Sequence, residues 1–168
     1  MESRVWLFGD DVNTDVIFPG KYTYTITDPK EMAQHAMEDA NERFAREVKA
    51  GDVIVAGRNF GCGSSREQAV KCLKAAGVAA ILAGSIARIY FRNAINEGLP
   101  VAVVPGLSDS VDTGDHIQID FSAGTVITET ETFSFTPLTG PARDILETGG
   151  LIPYVRDKLT KKKQQEEI

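Results

Sequence analysis

Histidine and cysteine are scarce in this chain, whose 168 residues include two of each. Cys62 and Cys72 have no second Cys or His pair close to them in the sequence, so neither a disulfide scaffold nor a zinc site is indicated. His35 and His116 are the only histidines. They leave metal binding and histidine-based catalysis short of residues, and any chemistry has to come from other side chains.

Long hydrophobic runs and an excess of positive charge are also missing. No stretch approaches the roughly 18 apolar residues of a membrane-spanning helix, and the first residues lack the apolar core of a secretory signal. Lysine and arginine total 18 against 24 aspartate and glutamate, a formal net charge of −6. Because non-specific nucleic-acid binding needs clustered cations, we expect neither nucleic acid nor a membrane as a partner. We expect a reduced, cytoplasmic protein.

Three apolar runs indicate buried parallel strands. They cover residues 53–56, 78–83 and 99–104, and helical segments at 66–76 and 86–97 separate them. A continuous apolar run is typical of a strand covered on both faces. Strand–helix alternation is typical of a parallel sheet. The sequence therefore predicts an α/β fold with a central, mostly parallel sheet and flanking helices.

The two ends of the chain have other patterns. Residues 3–8 alternate weakly and predict an edge strand. After Asp115, apolar residues recur at every second position, which predicts an added set of antiparallel strands. A final turn or short helix is expected at 154–159. We expect one domain over residues 1–160 and a charged, frayed tail over 161–168.

The segment from Gly57 to Arg66 concentrates the residues that could carry chemistry. Three glycines lie there with one cysteine and two serines, between a predicted buried strand and a helix start. Unpaired N–H groups at a helix start favour an anion, and Arg66 adds a two-pronged donor for carboxylate or phosphate. The pattern predicts an anion site with the hydroxyls of Ser64 and Ser65 beside it. The spacing is equally compatible with Ser64 capping the helix and Glu67 completing a capping box.

Familiar catalytic motifs are missing around these serines. No His or Asp lies near them in sequence to complete a hydrolase triad, and no Gly-Lys-Ser/Thr follows as in a phosphate-binding loop. The glycine spacing of a nucleophile elbow is missing too. A serine acts as a base only when its alkoxide is stabilised, and helix-end N–H groups together with Arg66 would do that.

Three motifs together resemble one known family. Residues 59–67 read NFGCGSSRE, residues 9–15 read GDDVNTD, and residues 85–100 read SIARIYFRNAINEGLP. All three are similar to signatures of the swivelling domain of the aconitase superfamily, and the resemblance spans almost the whole chain. The length matches the stand-alone small subunits of 3-isopropylmalate dehydratase in bacteria and archaea. The resemblance implies a swivelling β/β/α domain.

The resemblance also implies a reaction and a partner. Members move a hydroxyl between adjacent carbons of a malate-type acid by dehydration and rehydration, with a [4Fe-4S] cluster that binds the substrate. This chain lacks the three cysteines that would hold a cluster, so no cofactor or metal is expected on it. The cluster is expected on a separate large subunit, with which this chain forms a heteromer. A role for the chain in leucine biosynthesis follows from the same resemblance.

Roles for individual residues follow from the matched positions. Ser64 takes the place of the family base that removes the carbon-bound proton. Ser65 and Arg66 take the places that bind substrate carboxylate and support the oxyanion. Asp15 matches a family active-site acid, and Thr14 belongs to the substrate-binding set of the same loop. Cys62 has no ligand role in the family and is interpreted as a small packed residue.

Residues 20–27, here called the tyrosine loop, correspond to the family segment that faces the variable substituent of the substrate. Relatives that accept a third carboxylate tend to carry an arginine there, whereas this loop has none and only Lys21 as a cation. Tyr22, Tyr24 and Ile26 complete the candidate specificity residues, and Tyr24 and Ile26 offer apolar surface. We therefore favour isopropylmalate, followed by dimethylmalate or citraconate-type acids and then homoaconitate.

Two further points stay open at this level. A non-catalytic protein that binds small acids, or an RNA-binding regulator, is the alternative from another class, although the negative charge argues against RNA. On the predicted helix at 86–97, Arg88 and Arg92 share a face with i, i+4 spacing. They are expected to tie that helix, which also carries Asn93, to the loop carrying Ser64 by salt bridges, with direct contact to the substrate as the less favoured alternative.

Overall fold

The computed structural model describes residues 1–166. Its seven strands are β1 Glu2–Phe8, β2 Val53–Ala56, β3 Ala80–Ala83, β4 Val101–Val103, β5 His116–Asp120, β6 Thr125–Ile127 and β7 Thr132–Ser134. Its α-helices are α1 Thr14–Ile17, α2 Pro29–Ala33, α3 Phe44–Glu47, α4 Gln68–Ala75, α5 Arg88–Glu97, α6 Gly140–Glu147 and α7 Leu151–Glu166.

All seven strands form one mixed sheet in the order β4-β3-β2-β1-β5-β6-β7. The first four strands in this order are mutually parallel, and β5, β6 and β7 continue from β1 as antiparallel neighbours. This architecture confirms the predicted α/β fold with its added antiparallel set. The prediction of an edge strand at residues 3–8 is wrong, because β1 pairs with β2 on one side and β5 on the other. Its weak alternation reflects burial on both faces.

The sheet has a hydrophobic core on each face. Along β2, Ile54 and Ala56 point to the face covered by the helices, whereas Val53 and Val55 point to the opposite face. Ile117 of β5 belongs to the same cluster as Val53, so the antiparallel strands curl over the parallel part and cover its second face. This is why β2 and β3 are buried at every position and lack polar alternation.

A buried polar network fixes β1 to the start of β2. Asp52 is 5% exposed, and its carboxylate accepts hydrogen bonds from Arg4 Nη2 at 2.5 Å and from Trp6 Nε1 at 2.9 Å. The Lys49 N–H donates to the same carboxylate at 2.9 Å. Burial alone would raise the pKa of Asp52, but these three donors together hold it below its ordinary value.

Helix boundaries differ from the expected ones mainly at the end of the chain. The last helix runs over Leu151–Glu166 and therefore includes most of the segment that was expected to be a frayed tail. The tail residues 167 and 168 lie outside the described part, and the domain limit at residue 160 stays a prediction. Within residues 1–166, none of the helices is long and apolar enough to cross a membrane.

The parallel strands bring three loops to one edge of the sheet. β1 ends at Phe8, β2 at Ala56 and β3 at Ala83, and their parallel pairing puts these three ends side by side. Ligand sites of open α/β sheets lie beyond the carboxyl ends of the strands. The loops after β1 and β2 carry the GDDVNTD and NFGCGSSRE motifs, so the fold places both motifs at this edge.

Candidate active site

The loop after β1, residues 9–15, is here called the acid loop. Asn13 lies in this loop as the N-cap of α1, and its side-chain oxygen accepts a hydrogen bond from the Val16 N–H at 2.9 Å. Thr14 is 1% exposed, whereas Asp15 is exposed on the first turn of the helix. Asparagine is a favoured N-cap residue because its short side chain reaches the free N–H groups of the first turn. The cap therefore fixes the direction in which Asp15 projects.

The loop after β2, residues 57–67, is here called the serine loop, and it runs beside the acid loop. The Gly61 N–H donates to the Val12 carbonyl at 2.7 Å, and the Thr14 N–H donates to the Cys62 carbonyl at 2.9 Å. Gly61 has a φ of 74°, and a Cβ there would lie 2.2 Å from Tyr90 Cγ. Only glycine fits at position 61, because a side chain would meet a buried ring as well as the left-handed backbone strain.

Side chains join the two loops near the strand ends. Asp10 Oδ1 accepts the Arg58 N–H at 2.6 Å, and Asn59 Nδ2 donates to Asp11 Oδ1 at 2.7 Å. Asp11 and Asn59 both have left-handed backbones, with φ values of 56° and 62°. Aspartate and asparagine adopt this conformation more readily than other non-glycine residues. The Asn59 N–H also donates to Ser85 Oγ at 2.8 Å, which ties in the loop after β3.

Ser64 and Ser65 are exposed at the tip of the serine loop. The Ser64 N–H donates to the buried Thr14 hydroxyl at 3.1 Å. Within residues 1–166, neither serine hydroxyl donates or accepts a side-chain hydrogen bond. The interpretation of Ser64 as a helix cap is wrong, because α4 begins at Gln68 and its N-cap is Glu67, which makes no side-chain cap bond. Both hydroxyls are therefore available to a ligand.

Free backbone donors lie directly after these hydroxyls. In the part of the chain that the structure describes, the N–H groups of Ser65, Arg66 and Glu67 have no backbone acceptor. They precede α4, where unpaired N–H groups and the helix dipole favour negative charge. The Ser64 N–H is already used by Thr14, so any backbone stabilisation of an oxyanion comes from the following residues.

The side chain of Arg66, near the end of the serine loop, reaches the acid loop. Its Nη1 is 2.7 Å from Asp15 Oδ1. The Nη1 atom is buried and makes no directed hydrogen bond, so its contact with Asp15 is an ion pair with poor alignment. A Cβ on Gly20 would lie 2.7 Å from Asp15 Oδ1 and 3.3 Å from Arg66 Nη1, so a side chain at position 20 would shift the ion pair. The structure thus leaves one covered guanidinium nitrogen without a well-aligned acceptor.

Helix α5 supports the serine loop through an amide. Asn93 Nδ2 donates to the Ser65 carbonyl at 3.2 Å. Arg88 and Arg92 are exposed, and neither forms an ion pair within residues 1–166, so the expectation that they would tie the helix to this loop is wrong. Instead they line a groove of about 480 Å³ beside Gly61 and Gly63. The short Asn93 side chain therefore contacts the serine loop, whereas the long side chains of Arg88 and Arg92 extend into solvent.

The four candidate specificity residues of the tyrosine loop are not gathered around one pocket. Ile26 is 6% exposed and belongs to the core, so in this conformation it offers no apolar surface to a ligand, and Tyr24 is 95% exposed. The Tyr22 ring stacks against His35, with a centroid distance of 4.0 Å. Lys21 Nζ forms an ion pair with Glu38 Oε1 at 2.8 Å. Lys21 therefore points to Glu38 and not to Arg66.

Both cysteines are free thiols with different surroundings. Cys62 is half-buried, and its carbonyl, as described above, joins the two loops. Cys72 is fully buried in α4, and burial raises the pKa of its thiol. Among the described residues, no group of three or more His, Cys, Asp or Glu is arranged to hold a metal ion. Residues 1–166 therefore do not fit an iron–sulfur cluster.

The structure brings together Asp15, Thr14, Ser64, Ser65 and Arg66, and the roles assigned to them stay predictions. It also reveals contributors that the sequence reasoning missed. Gly20 and Tyr90 shape the site by close packing, and a side-chain contact of this kind between distant residues has no sequence signal. Glu38 holds the tyrosine loop through Lys21. The one sequence feature that hinted at this contact was an acidic residue three positions after His35.

Comparison with known proteins agrees with these features. The family model described as "Aconitase C-terminal domain" matches residues 11–105. A relative from Thermodesulfovibrio yellowstonii, a 3-isopropylmalate dehydratase small subunit, is 45% identical over 95% of this chain and 96% of its own length. One from Methanopyrus kandleri, 3-isopropylmalate dehydratase small subunit 1, is 48% identical over 93% of this chain and 92% of its own. A crystal structure of 3-isopropylmalate dehydratase from Methanocaldococcus jannaschii superposes with a TM-score of 0.92 and 43% identity, covering 98% of each chain.

Proposed function

Because the chain belongs to the family of 3-isopropylmalate dehydratase small subunits, within the aconitase C-terminal domain family, we propose that it works as one subunit of a two-subunit hydro-lyase. The enzyme interconverts 2-isopropylmalate and 3-isopropylmalate by dehydration and rehydration, a step of leucine biosynthesis. The observation that carries the role of this chain is the serine loop, which presents the exposed hydroxyl of Ser64 two residues before Arg66, together with free backbone donors.

Ser64 is the base that removes the carbon-bound proton in the dehydration direction. Its hydroxyl is exposed and has no partner within residues 1–166, and its backbone is fixed by the bond from its N–H to Thr14. A neutral serine hydroxyl is too weak a base for this step, so Ser64 acts as its alkoxide, which takes up the carbon-bound proton and becomes the hydroxyl. The Arg66 cation and the free N–H groups that follow Ser64 stabilise that alkoxide. In rehydration the same hydroxyl returns the proton to the carbon.

Arg66 and Ser65 bind a carboxylate of the substrate. The buried Nη1 of Arg66 lacks a well-aligned acceptor, and a substrate carboxylate that displaces Asp15 would supply one. Asp15 holds the guanidinium by its ion pair in the meantime. A carboxylate that binds Arg66 changes the charge balance of that pair, so Asp15 is free to serve as an active-site acid. Thr14 acts as a positioning residue through Ser64, because its own hydroxyl is buried.

A partner has to complete this site. Ser64, Ser65 and Asp15 are all exposed, whereas proton abstraction beside a carboxylate is helped by exclusion of water. Residues 1–166 do not fit an iron–sulfur cluster, so we place the [4Fe-4S] cluster on a large subunit. When bound there, the cluster supplies a Lewis acid for the substrate hydroxyl and carboxylate. This chain contributes the base and the carboxylate clamp, and its cytoplasmic location stays a prediction.

The test is reconstitution of the two subunits with Ser64→Ala. We expect no dehydratase activity from this chain alone and full activity only on mixing. Ser64→Ala should lower kcat by about 10²–10⁴, the range for a general base, while binding of the large subunit is unchanged. Ser134→Ala is the matched control, since Ser134 is an exposed serine on β7. Ser64→Ala activity within about tenfold of wild type would remove Ser64 from the role of base.

A further inference from the structure

Glu38 is the centre of a small polar cluster that faces the tyrosine loop. One carboxylate oxygen lies 2.8 Å from Lys21 Nζ, and the other lies 2.7 Å from His35 Nδ1. Lys21 Nζ also lies 4.8 Å from the centroid of the Tyr22 ring, which itself stacks on His35. Glu38 thus holds the one cation of the loop in an ion pair.

The tyrosine loop nevertheless borders the proposed carboxylate clamp. Gly20 packs against Arg66 and Asp15, since a Cβ added at position 20 would lie 3.3 Å from the guanidinium and 2.7 Å from the carboxylate. Lys21 is the next residue, and its side chain is a flexible four-carbon stem that is more than half exposed. A substrate whose carboxylate binds Arg66 would therefore have its remaining substituent close to this loop. Lys21 could reach that substituent if nothing held it elsewhere.

We propose that Glu38 is a specificity-determining residue, which keeps Lys21 away from the substrate and thereby favours acids whose third substituent is uncharged. This inference rests on the proposed function, since it uses the binding of a substrate carboxylate by Arg66. A buried carboxylate needs a paired cation, whereas an alkyl group gains from apolar surroundings. With Lys21 held by Glu38, the loop offers no cation to a third carboxylate. With Glu38 neutral, it does.

Two charges around the cluster support this assignment. Burial would raise the pKa of Glu38, but the contacts with Lys21 and His35 keep it below its ordinary value, so the carboxylate is charged near neutrality. The hydrogen bond with Glu38 raises the pKa of Lys21, so the lysine is charged as well. The pair is therefore a standing ion pair at neutral pH, and replacing one partner releases the other.

The experiment uses the reconstituted two-subunit enzyme and measures kcat/KM for isopropylmalate and for homoaconitate, a probe with a third carboxylate. In Glu38→Gln we expect the ratio of homoaconitate to isopropylmalate to rise about tenfold, the value of one new charge-assisted hydrogen bond. The double variant Glu38→Gln with Lys21→Met should return the ratio to the wild-type value, and Glu38→Asp should largely keep it. Glu42→Gln is the matched control, because Glu42 is exposed four residues further along the chain and forms no ion pair among residues 1–166.

The outcomes separate the two proposals. A wild-type complex that is active on isopropylmalate, with an unchanged ratio in Glu38→Gln, overturns the role of Glu38 alone. A ratio that rises equally with and without Lys21 also overturns it, because the effect would then come from loop shape and not from the released cation. A wild-type complex that turns over none of these acids contradicts the proposed function itself.

Discussion

The serine loop, which contains Arg66, and the tyrosine loop, whose Gly20 packs against that arginine, are held in different ways. The serine loop is fixed by backbone bonds to the acid loop, by the Asp10 and Asn59 side chains, and by glycine packing at Gly61. The tyrosine loop begins with a short 3-10 turn over Gly20–Tyr22, and the ion pair of its lysine is with Glu38. One loop is built into the sheet edge, whereas the other is anchored by Ile26 in the core and by the partly buried contacts of Glu38.

This difference separates chemistry from selectivity. The groups proposed to move a proton need positions accurate to a fraction of an ångström, and dense local bonding provides them. The groups proposed to choose the substituent need only charge and shape, which can change by single substitutions at a partly exposed contact. The comparison predicts that substitutions in the serine loop damage folding or rate, whereas those in the tyrosine loop alter preference.

The largest effect is expected from Gly61→Ala. The new Cβ would lie 2.2 Å from Tyr90 Cγ, and the backbone φ of 74° is strained for alanine. Left-handed strain and overpacking together should lower the free energy of unfolding by about 2–5 kcal/mol. Urea denaturation of this chain measures it. Gly9→Ala, at a glycine with open space around it, and Tyr24→Ala, in the exposed part of the tyrosine loop, should each stay within about 0.5 kcal/mol of wild type. A small effect of Gly61→Ala would mean that the serine loop adjusts as easily as the tyrosine loop.

The next effect concerns Arg66, a serine-loop residue whose guanidinium lies beside Gly20 of the tyrosine loop. Arg66→Lys keeps the charge but replaces the planar two-pronged donor by one ammonium. We expect kcat/KM of the reconstituted enzyme to fall about tenfold to a hundredfold, the loss of one charge-assisted hydrogen bond. A fall mainly through KM would indicate ground-state binding, and a fall mainly through kcat would indicate support of the transition state. Lys30→Arg, the reverse exchange at an exposed position of α2, should leave both constants unchanged.

The two loops also differ in what could be predicted from sequence. The serine loop can be recognised in the sequence, because glycines, serines and an arginine between a buried strand and a helix start indicate a tight loop and an anion site. The tyrosine loop cannot, since Ile26 is an ordinary apolar residue and its burial depends on the tertiary fold. The pairing of Lys21 with Glu38 joins residues 17 positions apart through an irregular segment, and no periodicity predicts it.

The same contrast applies to the fold. Continuous apolar runs predicted β2, β3 and β4 within a few residues, because a strand covered on both faces has a simple pattern. The central place of β1 was missed, since its pattern of Ser, Arg and Trp looks half-exposed. The buried Asp52 explains it, because the polar side chains Arg4 and Trp6 find their partner there and not in water. A polar residue in a strand therefore indicates a solvent-exposed position only when no buried partner is available to it.

A smaller effect is expected from Asn93→Ala, which removes the support of the serine loop by α5. The amide donates to the Ser65 carbonyl at 3.2 Å, and one such bond is worth about 1 kcal/mol. We expect kcat of the reconstituted enzyme to fall about fivefold with KM little changed, because Ser64 and Ser65 become less well positioned. Asn96→Ala, on an exposed position of the same helix, is the matched control and should be silent. Equal effects of the two variants would show that general loss of helix stability is responsible.

The smallest effect is a pH dependence that compares the carboxylates holding the two loops. The hydrogen bond from the Arg58 N–H lowers the pKa of Asp10 below its ordinary value of 3.8. A carboxylate with a lowered pKa stabilises the fold above its unfolded-state pKa, and the stabilisation is lost as pH falls through the lowered value. Asp10→Asn should therefore lower the urea midpoint of this chain at pH 7, and the difference from wild type should shrink towards pH 3. Glu38→Gln should behave in the same way, with its loss beginning below the ordinary value of 4.5. Asp39→Asn, at an exposed residue, should differ from wild type at neither pH. If the Asp10→Asn difference persists at pH 3, the shape of the Asp10 side chain and not its charge holds the serine loop. Of the two loops, only the tyrosine loop would then depend on a charged carboxylate.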